Sequence, residues 1–471
     1  MTAPVIYWTR RDFRLSDNPA LVAACAAGQP VIPVFICDQT VAELGAAPKW
    51  RLALGVESFA SALAAAGSGL VLRQGDALAV LSALIAETGA VAVHWNRLYD
   101  PASIARDAAV KTALKAAGVA AKSHAGHAVH EPWDVATGAG GFYRVYTPFW
   151  NAVRQREVAA PLAMPKITAP TTWPASDRLS DWDLARGMDR GAAIVAPNLH
   201  VGEAAAADRL ARFLDSSIAD YAVARDRLDQ DATSGLSENL TYGEISARQC
   251  WHAGWRAMQD GKAGAETFLK ELIWRDFAYH LAYHTPHIIT GNWRSEWDAF
   301  PWNTDAAHPH VQAWKQGRTG MVIVDAAMRE MYVTGRMHNR ARMLVASYLT
   351  KHLLTHWRIG LDWFADCLID WDPASNAMGW QWSAGSGPDA TPYFRVFNPE
   401  TQAEKFDPLG RYRRKWVAEI SRPAPPSAQS YFAAIPHGWG MSADQPYPMA
   451  PVVDAATGRQ RALDAYQNRG F

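Results

Sequence analysis

The sequence predicts an α/β domain built on a doubly wound parallel sheet, followed by an all-helical domain. Three observations carry that reading. The first 130 residues alternate short β-branched runs with Ala/Leu-rich amphipathic stretches, the pattern of buried parallel strands joined by helical crossovers. From about 158 to 200 periodicity fades while Pro161, Pro165, Pro170, Pro174 and Pro197 punctuate a polar stretch. Beyond Gly202, helical periodicity with Thr/Ser/Asp starts and Gly stops dominates to about Trp416, and strand signals nearly vanish. A chain of 471 residues is also too long for one compact core.

Taken in order, Val5 to Trp8, Val31 to Cys37, Leu70 to Leu72 and Val91 to Trp95 read as strands with helices between them. The turn after the first strand reads Thr9-Arg10-Arg11-Asp12-Phe13-Arg14. It lacks GxGxxG, so ordinary dinucleotide binding at that turn is not expected. We place an α/β domain at 1–130, an interdomain connector at 131–201 and a helical domain at 202–471. The tail from Pro423 is proline-rich and is expected to wrap the surface, with a last short helix near Arg459 to Gln467. There is no internal repeat and no low-complexity tract.

Lys plus Arg and Asp plus Glu both number 46, so no global basic excess announces a nucleic-acid partner, and any DNA contact must come from a local patch. Cys25, Cys37, Cys250 and Cys367 lack CxxC spacing, which argues against a disulfide scaffold, structural zinc and iron–sulfur ligation and fits a reducing cytoplasm. No signal peptide and no apolar run of membrane-spanning length is evident. The unusual count is 21 tryptophans, dense in the second half.

Four segments carry chemistry. Thr233 to Leu240 is a run of small hydroxyl residues leading into a helix, where hydroxyls and free N–H groups can hold a phosphate or Ser237 can be a plain cap; Tyr221 and Arg225 lie just upstream. Glu271, Trp274 and Arg275 share a helical face, either as a functional set or as a surface Glu–Arg pair beside a core tryptophan. In Met337 to Met343, Asn339, Arg342 and Met343 share a face while Arg340 points elsewhere. An arginine this close to an apolar run needs a carboxylate, and Asp370 and Asp372 offer two. In Gly379 to Gly387, Trp380 and Trp382 stand about 200° apart on a helix and must face different things. With Trp357 and Trp302 they allow a row of indoles from interior to surface.

TSGLSENL, ELIWRDF, GRTGMVIVDAAMRE, MHNRARM, DWDPASNAMGWQW, PYFRVFNPETQAEKFD and the opening WTRRDFRLSDNPAL resemble, in order and spacing, the photolyase/cryptochrome family over nearly the whole chain. Within it the chain looks most like bacterial photolyases of the cyclobutane pyrimidine dimer (CPD) type. The resemblance implies an N-terminal antenna domain and a helical domain holding FAD. It implies that Tyr221, Arg225, Thr233, Ser234, Leu236 and Ser237 hold the flavin's phosphates and ribityl chain. Arg342 and Asp370 would pair beside its ring system, Asp372 would approach the pyrimidine end and Asn376 would face N5. Trp380, Trp357 and Trp302 would relay electrons, Trp302 competing for its place with Trp314.

Glu271, Trp274, Asn339, Arg340, Met343, Trp382 and Arg395 fall on the family's dimer-contact positions. Photolyases act on nucleotides swung out of the stack. Trp274 and Trp382 would wall the flipped bases, Asn339 would offer a two-sided hydrogen-bonding edge, and Arg340 and Arg395 would hold phosphates. Glu271 would sit by the dimer carbonyls next to Arg275. The implied reaction is light-driven transfer of one electron from reduced FAD to the dimer and back. UV-damaged DNA is then the partner, the chain a monomer with no obligate protein partner and no membrane, and the cytoplasm its location.

A cryptochrome light receptor is the main alternative on this fold. Asn376, Met343 and Trp382 have the repair-type identities, and the chain lacks the long tail of many receptors. Repair of six-four photoproducts is a second alternative. That branch carries a histidine pair in the motif that here reads His338-Asn339 and a further histidine where this chain has Met343, and without those imidazoles its acid step would lack a donor. A metal-dependent hydrolase is the third, prompted by His280, His284 and His287, though no HExxH pattern is present. A second, antenna chromophore, deazaflavin or methenyltetrahydrofolate, is implied without a fixed identity. The usual folate-holding positions carry Ala102, Ser103 and Thr290 here, and Arg11, Asp12 and Arg51 are candidate contacts. Gly235 stands where a bulkier residue is expected.

Overall fold

The structure is a computed structural model that describes residues 2–389 and 394–471. Strands β1 (Val5–Thr9), β2 (Val31–Cys37), β3 (Val71–Gln74), β4 (Ala92–Asn96) and β5 (Ala120–His124) form one sheet in the order β3-β2-β1-β4-β5. Every pairing is parallel, with Val5 opposite both Val31 and Ala92. Alternation splits β1 between two cores: Val5 and Tyr7 face one, Ile6 and Trp8 the other. Helices α1 (Pro19–Cys25), α2 (Ala46–Ala65), α3 (Ala77–Thr88) and α4 (Pro101–Ala116) cover the faces. Asn18, Asp76 and Asp100 cap three of them, each accepting a backbone N–H of the first turn. The expected doubly wound domain is present, but β5 was not foreseen. It is an edge strand in which only Ala121 is buried among Lys122, Ser123 and His124, so it lacks an apolar run.

The stretch expected to be a connector contains a packed helix, α5 (Tyr146–Val153), whose Phe149, Trp150 and Val153 are buried in a core of the helical body. Farther along, Asp177 N–H donates to Leu72 O (2.9 Å) and Leu72 N–H to Ser176 Oγ (2.9 Å), covering the free edge of β3.

The helical body comprises α6 (Glu203–Ser216), α7 (Ser237–Thr241), α8 (Ala247–Gln259), α9 (Ala265–His284), α10 (Val322–Thr334), α11 (Asn339–Ser347), α12 (Trp357–Cys367), α13 (Pro373–Ala384), α14 (Pro399–Phe406) and α15 (Arg411–Trp416). Two short helices, α16 (Pro426–Ala434) and α17 (Ala455–Gln467), punctuate the tail. One core gathers α5, α6, α8 and α9, and the other gathers α10 to α13 with the tail. The sheet domain is locked to this body by buried charge. Arg51 of α2, fully buried, reaches Glu244 (2.7 Å) and Glu238 (3.5 Å), both also fully buried. Gly243 (φ +62°) lets the body approach so closely that a Cβ there would lie 2.1 Å from Arg11 O.

Candidate cofactor and substrate cavity

Between the two helical cores opens a cavity of about 2030 Å³, roughly twice the upper end for a small-molecule site. Helix α13 forms one wall. Asp372 caps it, accepting Ser375 N–H (2.8 Å) at Oδ1 and the Tyr279 hydroxyl at Oδ2. Asn376 Nδ2 donates to the Asp372 carbonyl (2.9 Å), leaving its Oδ1 without a protein partner among the described residues. Gly379 has no atom within 4 Å of where a Cβ would stand, so this wall carries an open hollow against bare backbone.

Opposite, α11 presents Asn339, Arg342 and Met343 to the cavity. Arg342 Nη2 donates to both oxygens of Asp370 (3.0 and 2.7 Å), and its Nε to Met337 O (2.9 Å). Arg340 also lines the cavity, where it reaches Asp226 (2.5 Å) and lies over the Phe406 ring. His338, weighed in the sequence only against the six-four alternative, stands at the head of this helix. It caps α11, its Nδ1 accepting Arg340 N–H (3.1 Å), and burial lowers its pKa to about 4, so the ring is neutral. Its buried Nε2 has no partner among the described residues, and the residue lines the cavity.

At one end, Thr233, Ser234, Leu236 and Ser237 line the cavity together with Tyr221 and Arg225. Ser237 is not the cap of α7; Leu236 occupies that position, and the Ser237 hydroxyl makes no capping bond. Gly235 has a physical reason: its φ is +61°, a Cβ would lie 3.2 Å from Arg209 Cζ, and its carbonyl accepts from Arg209 Nη1 (2.5 Å). Burial first, then Arg336, lowers the pKa of Arg209 to about 10.

Of the two readings of that helical face, the surface Glu271–Arg275 pair does not form. Glu271 is held by Arg225, which arrives from 46 residues upstream, and both line the cavity. Arg275 instead donates to His127 O (2.7 Å), beside the contact between His127 and Tyr279 (2.8 Å). Trp274 and Trp382, both half-buried, line the cavity. Arg395 is exposed, its guanidinium 5.8 Å from the Phe397 ring, and it stands outside the cavity lining. Pro392 and Tyr393 of its motif lie outside the described residues.

Trp380 lies against the Gly360 backbone, where a Cβ would meet its ring at 2.1 Å, and it packs on Phe364 (4.9 Å) and Trp314 (6.1 Å). Trp357, fully buried at the start of the same helix α12, donates to Asn292 Oδ1 (2.8 Å). His356 is in ring contact with both Trp357 (5.5 Å) and Trp302 (5.6 Å). Burial lowers its pKa to about 4, so no charge sits between the indoles. Trp302 is partly exposed while Trp314 is fully buried, so Trp302 is the indole of the two nearer solvent.

Two candidate antenna contacts are engaged internally. Asp12 accepts from Tyr7 (2.7 Å), Thr9 (2.7 Å) and Asn96 (2.6 Å), and Arg51 is the interdomain tie. At the carboxyl ends of β1 and β4, Arg10 and Arg106 lie over the Trp8 ring (4.3 and 5.0 Å), held by Asp107 and Asp38. Of the three histidines considered for a metal, His280 and His284 meet Pro132 O (2.9 and 3.2 Å) and His287 meets Trp293 O (3.3 Å). Among the described residues no three His, Cys, Asp or Glu are grouped to hold a metal ion. No described helix is long and apolar enough to cross a membrane.

The donor set fits FAD. A hydroxyl-lined end suits phosphates, a self-neutralised Arg–Asp pair can flank a flat polar ring, and the hollow at Gly379 admits that ring against helix backbone. The volume leaves room for a second occupant.

Comparison with known proteins agrees. A family model described as DNA photolyase matches residues 5–167, and one described as the FAD binding domain of DNA photolyase matches 268–468. A deoxyribodipyrimidine photo-lyase of Agrobacterium fabrum is 45% identical over 99% of this chain and 98% of its own. Cryptochrome-1 of Arabidopsis thaliana is 34% identical over 88% of this chain but only 63% of its own length. Among solved structures, a bacterial class III photolyase from Agrobacterium tumefaciens superposes with a TM-score of 0.90 at 44% identity, covering 100% of this chain and 98% of that one. Sequence and fold, matched from end to end, place this chain in the DNA photolyase family.

Proposed function

We propose that this chain repairs cyclobutane pyrimidine dimers in DNA by light-driven electron transfer, with FAD in the depth of the helical cavity and a flipped-out dimer at its mouth. The observation that carries the reading is the single cavity shared by the Arg342–Asp370 pair, the hydroxyl end and the two half-buried indoles Trp274 and Trp382. When bound, FAD in its reduced form supplies, under blue light, the electron that opens the cyclobutane ring and takes it back.

The residues bind, orient and shield. Tyr221, Arg225, Thr233, Ser234, Leu236 and Ser237 hold the diphosphate and ribityl chain. Arg342 and Asp370 neutralise each other beside the ring system, so neither charge is left unpaired there. Asp372 and Asn376 address the ring's polar edge, and the free Asn376 Oδ1 is the acceptor available for it. Trp274 and Trp382 give flat apolar surfaces on which flipped bases stack and from which water is excluded. Asn339 reads a base edge, and Met343 fills the space beside it. Glu271, anchored by Arg225, lines the cavity where the dimer carbonyls gain charge, and its paired guanidinium offsets that charge. Arg340 and Arg395 contact phosphates at the rim. Trp380, Trp357 and Trp302 carry electrons inward. The partner is UV-damaged DNA, and the chain acts as a cytoplasmic monomer with no obligate protein partner.

The test is repair itself. Purified protein, loaded with FAD and photoreduced, restores an oligonucleotide bearing one thymine dimer under blue light and not in the dark. Binding of FAD without any repair would favour the receptor reading, which the cryptochrome relative keeps in view.

A further inference from the structure

We infer that Tyr146, from the segment between the two domains, is a positioning residue for the lesion pocket: it holds the Trp274 indole as a preset wall for the flipped dimer. The inference rests on the reading of Trp274 as that wall. The Tyr146 ring lies nearly parallel to the indole, with centroids 3.7 Å apart and planes 10° off. One face of Trp274 is thereby covered. Its remaining surface borders the cavity, whereas Tyr146, only 7% exposed, is not part of the lining. Tyr146 thus stands behind the wall, and its influence on DNA passes through Trp274.

Tyr146 is itself fixed from several sides. Its hydroxyl donates to Lys270 O (2.5 Å), one helical turn before Trp274 on α9, so ring and hydroxyl grip the same stretch of helix. Its ring meets Phe277 (5.8 Å), which also packs on Trp274 (5.7 Å). Behind it, Phe149, Trp150 and Val153 sink α5 into the core. A half-exposed indole without this backing would have other rotamers open to it, and ordering it on binding would cost affinity. Backed by a fixed ring, it meets the base already in place. The connector therefore supplies part of the pocket's architecture.

Tyr146→Leu keeps an apolar side chain in place and removes the ring. It is expected to weaken binding of a thymine-dimer oligonucleotide about tenfold relative to the same oligonucleotide undamaged, as expected for loss of an aromatic pair. Tyr146→Phe, which loses only the hydroxyl, brings the ratio back to within about threefold of wild type. A parallel fall in FAD content or in affinity for undamaged DNA would indicate a general structural fault and overturn the inference. Trp274→Ala separates the two ideas. Loss of dimer binding there with none in Tyr146→Leu overturns the positioning role alone, and no loss in Trp274→Ala overturns the reading beneath it. In the double variant the two losses do not add, and full additivity would also overturn the coupling.

Discussion

Asp276 gives the helical body a pH dependence that one substitution should remove. It sits on α9 between Trp274 and Tyr279, with 2% exposure. Its Oδ2 accepts Val129 N–H (2.9 Å) and His130 N–H (2.8 Å), while its Oδ1 has no partner among the described residues. Burial raises its pKa to about 7, against the lowering effect of those two N–H groups and Arg275. An unfolded aspartate titrates near pH 4, so between about pH 4 and about pH 7 the folded state keeps a proton that the unfolded state releases. Stability therefore falls as pH rises through that window and is level above it. A shift of about three units at about 1.4 kcal/mol each amounts to about 4 kcal/mol from this carboxyl alone. Asp276→Asn retains an oxygen for the two N–H groups and cannot ionise. Urea titrations of variant and wild type should show the variant gaining about 1.4 kcal/mol per pH unit between about pH 5 and about pH 7, then a constant difference. A difference independent of pH would show that the buried Asp276 carboxyl keeps no proton in this window.

Arg51→Met removes the charged partner of the fully buried Glu244 and should cost about 3–5 kcal/mol in urea unfolding; wild-type stability would show that the interdomain tie is dispensable. Trp380→Phe should block photoreduction of the bound flavin by an external donor yet leave repair by dithionite-reduced protein largely intact, and unimpaired photoreduction would remove Trp380 from the relay. Arg395→Ala should weaken DNA binding similarly for damaged and undamaged sequences and reduce the log–log salt slope by about 1; an unchanged slope would exclude a phosphate contact at this exposed guanidinium.

Much of the fold is legible in the sequence because its strands are buried on both faces. The run Val31–Cys37 coincides with β2, every residue of which is buried, and β1 and β4 differ from their expected bounds by a residue or two. β5 escapes because an edge strand has only one covered side and carries Lys122, Ser123 and His124. Helix α5 escapes because eight residues containing Pro148 give too short a periodic signal, and its burial depends on partners such as Phe277 far along the chain. The same limit explains the site. Helical spacing puts Asn339, Arg342 and Met343 together on the cavity but sets Arg340 apart, although it lines the cavity too, and the Glu271–Arg275 pair it allows is not formed because the rule sees only neighbours on one helix. Arg225 arrives through tertiary structure, as does Tyr146 behind Trp274. Whether Ser237 caps its helix, and why Gly235 stands where it does, depend on backbone dihedrals that composition does not reveal. His338 left a signal in its place one residue before the helix of MHNRARM, but its unpartnered Nε2 emerges only from the packing around it.

A flavin and a dimer held in one cavity must lie close enough for charge to pass between them. Fluorescence of the reduced flavin, measured while a thymine-dimer oligonucleotide is titrated in, tests it most directly. Saturable quenching by dimer-containing DNA is expected, with little by the undamaged strand and loss of the difference in Trp382→Ala. Tight binding of the damaged strand with unaltered flavin emission would contradict it.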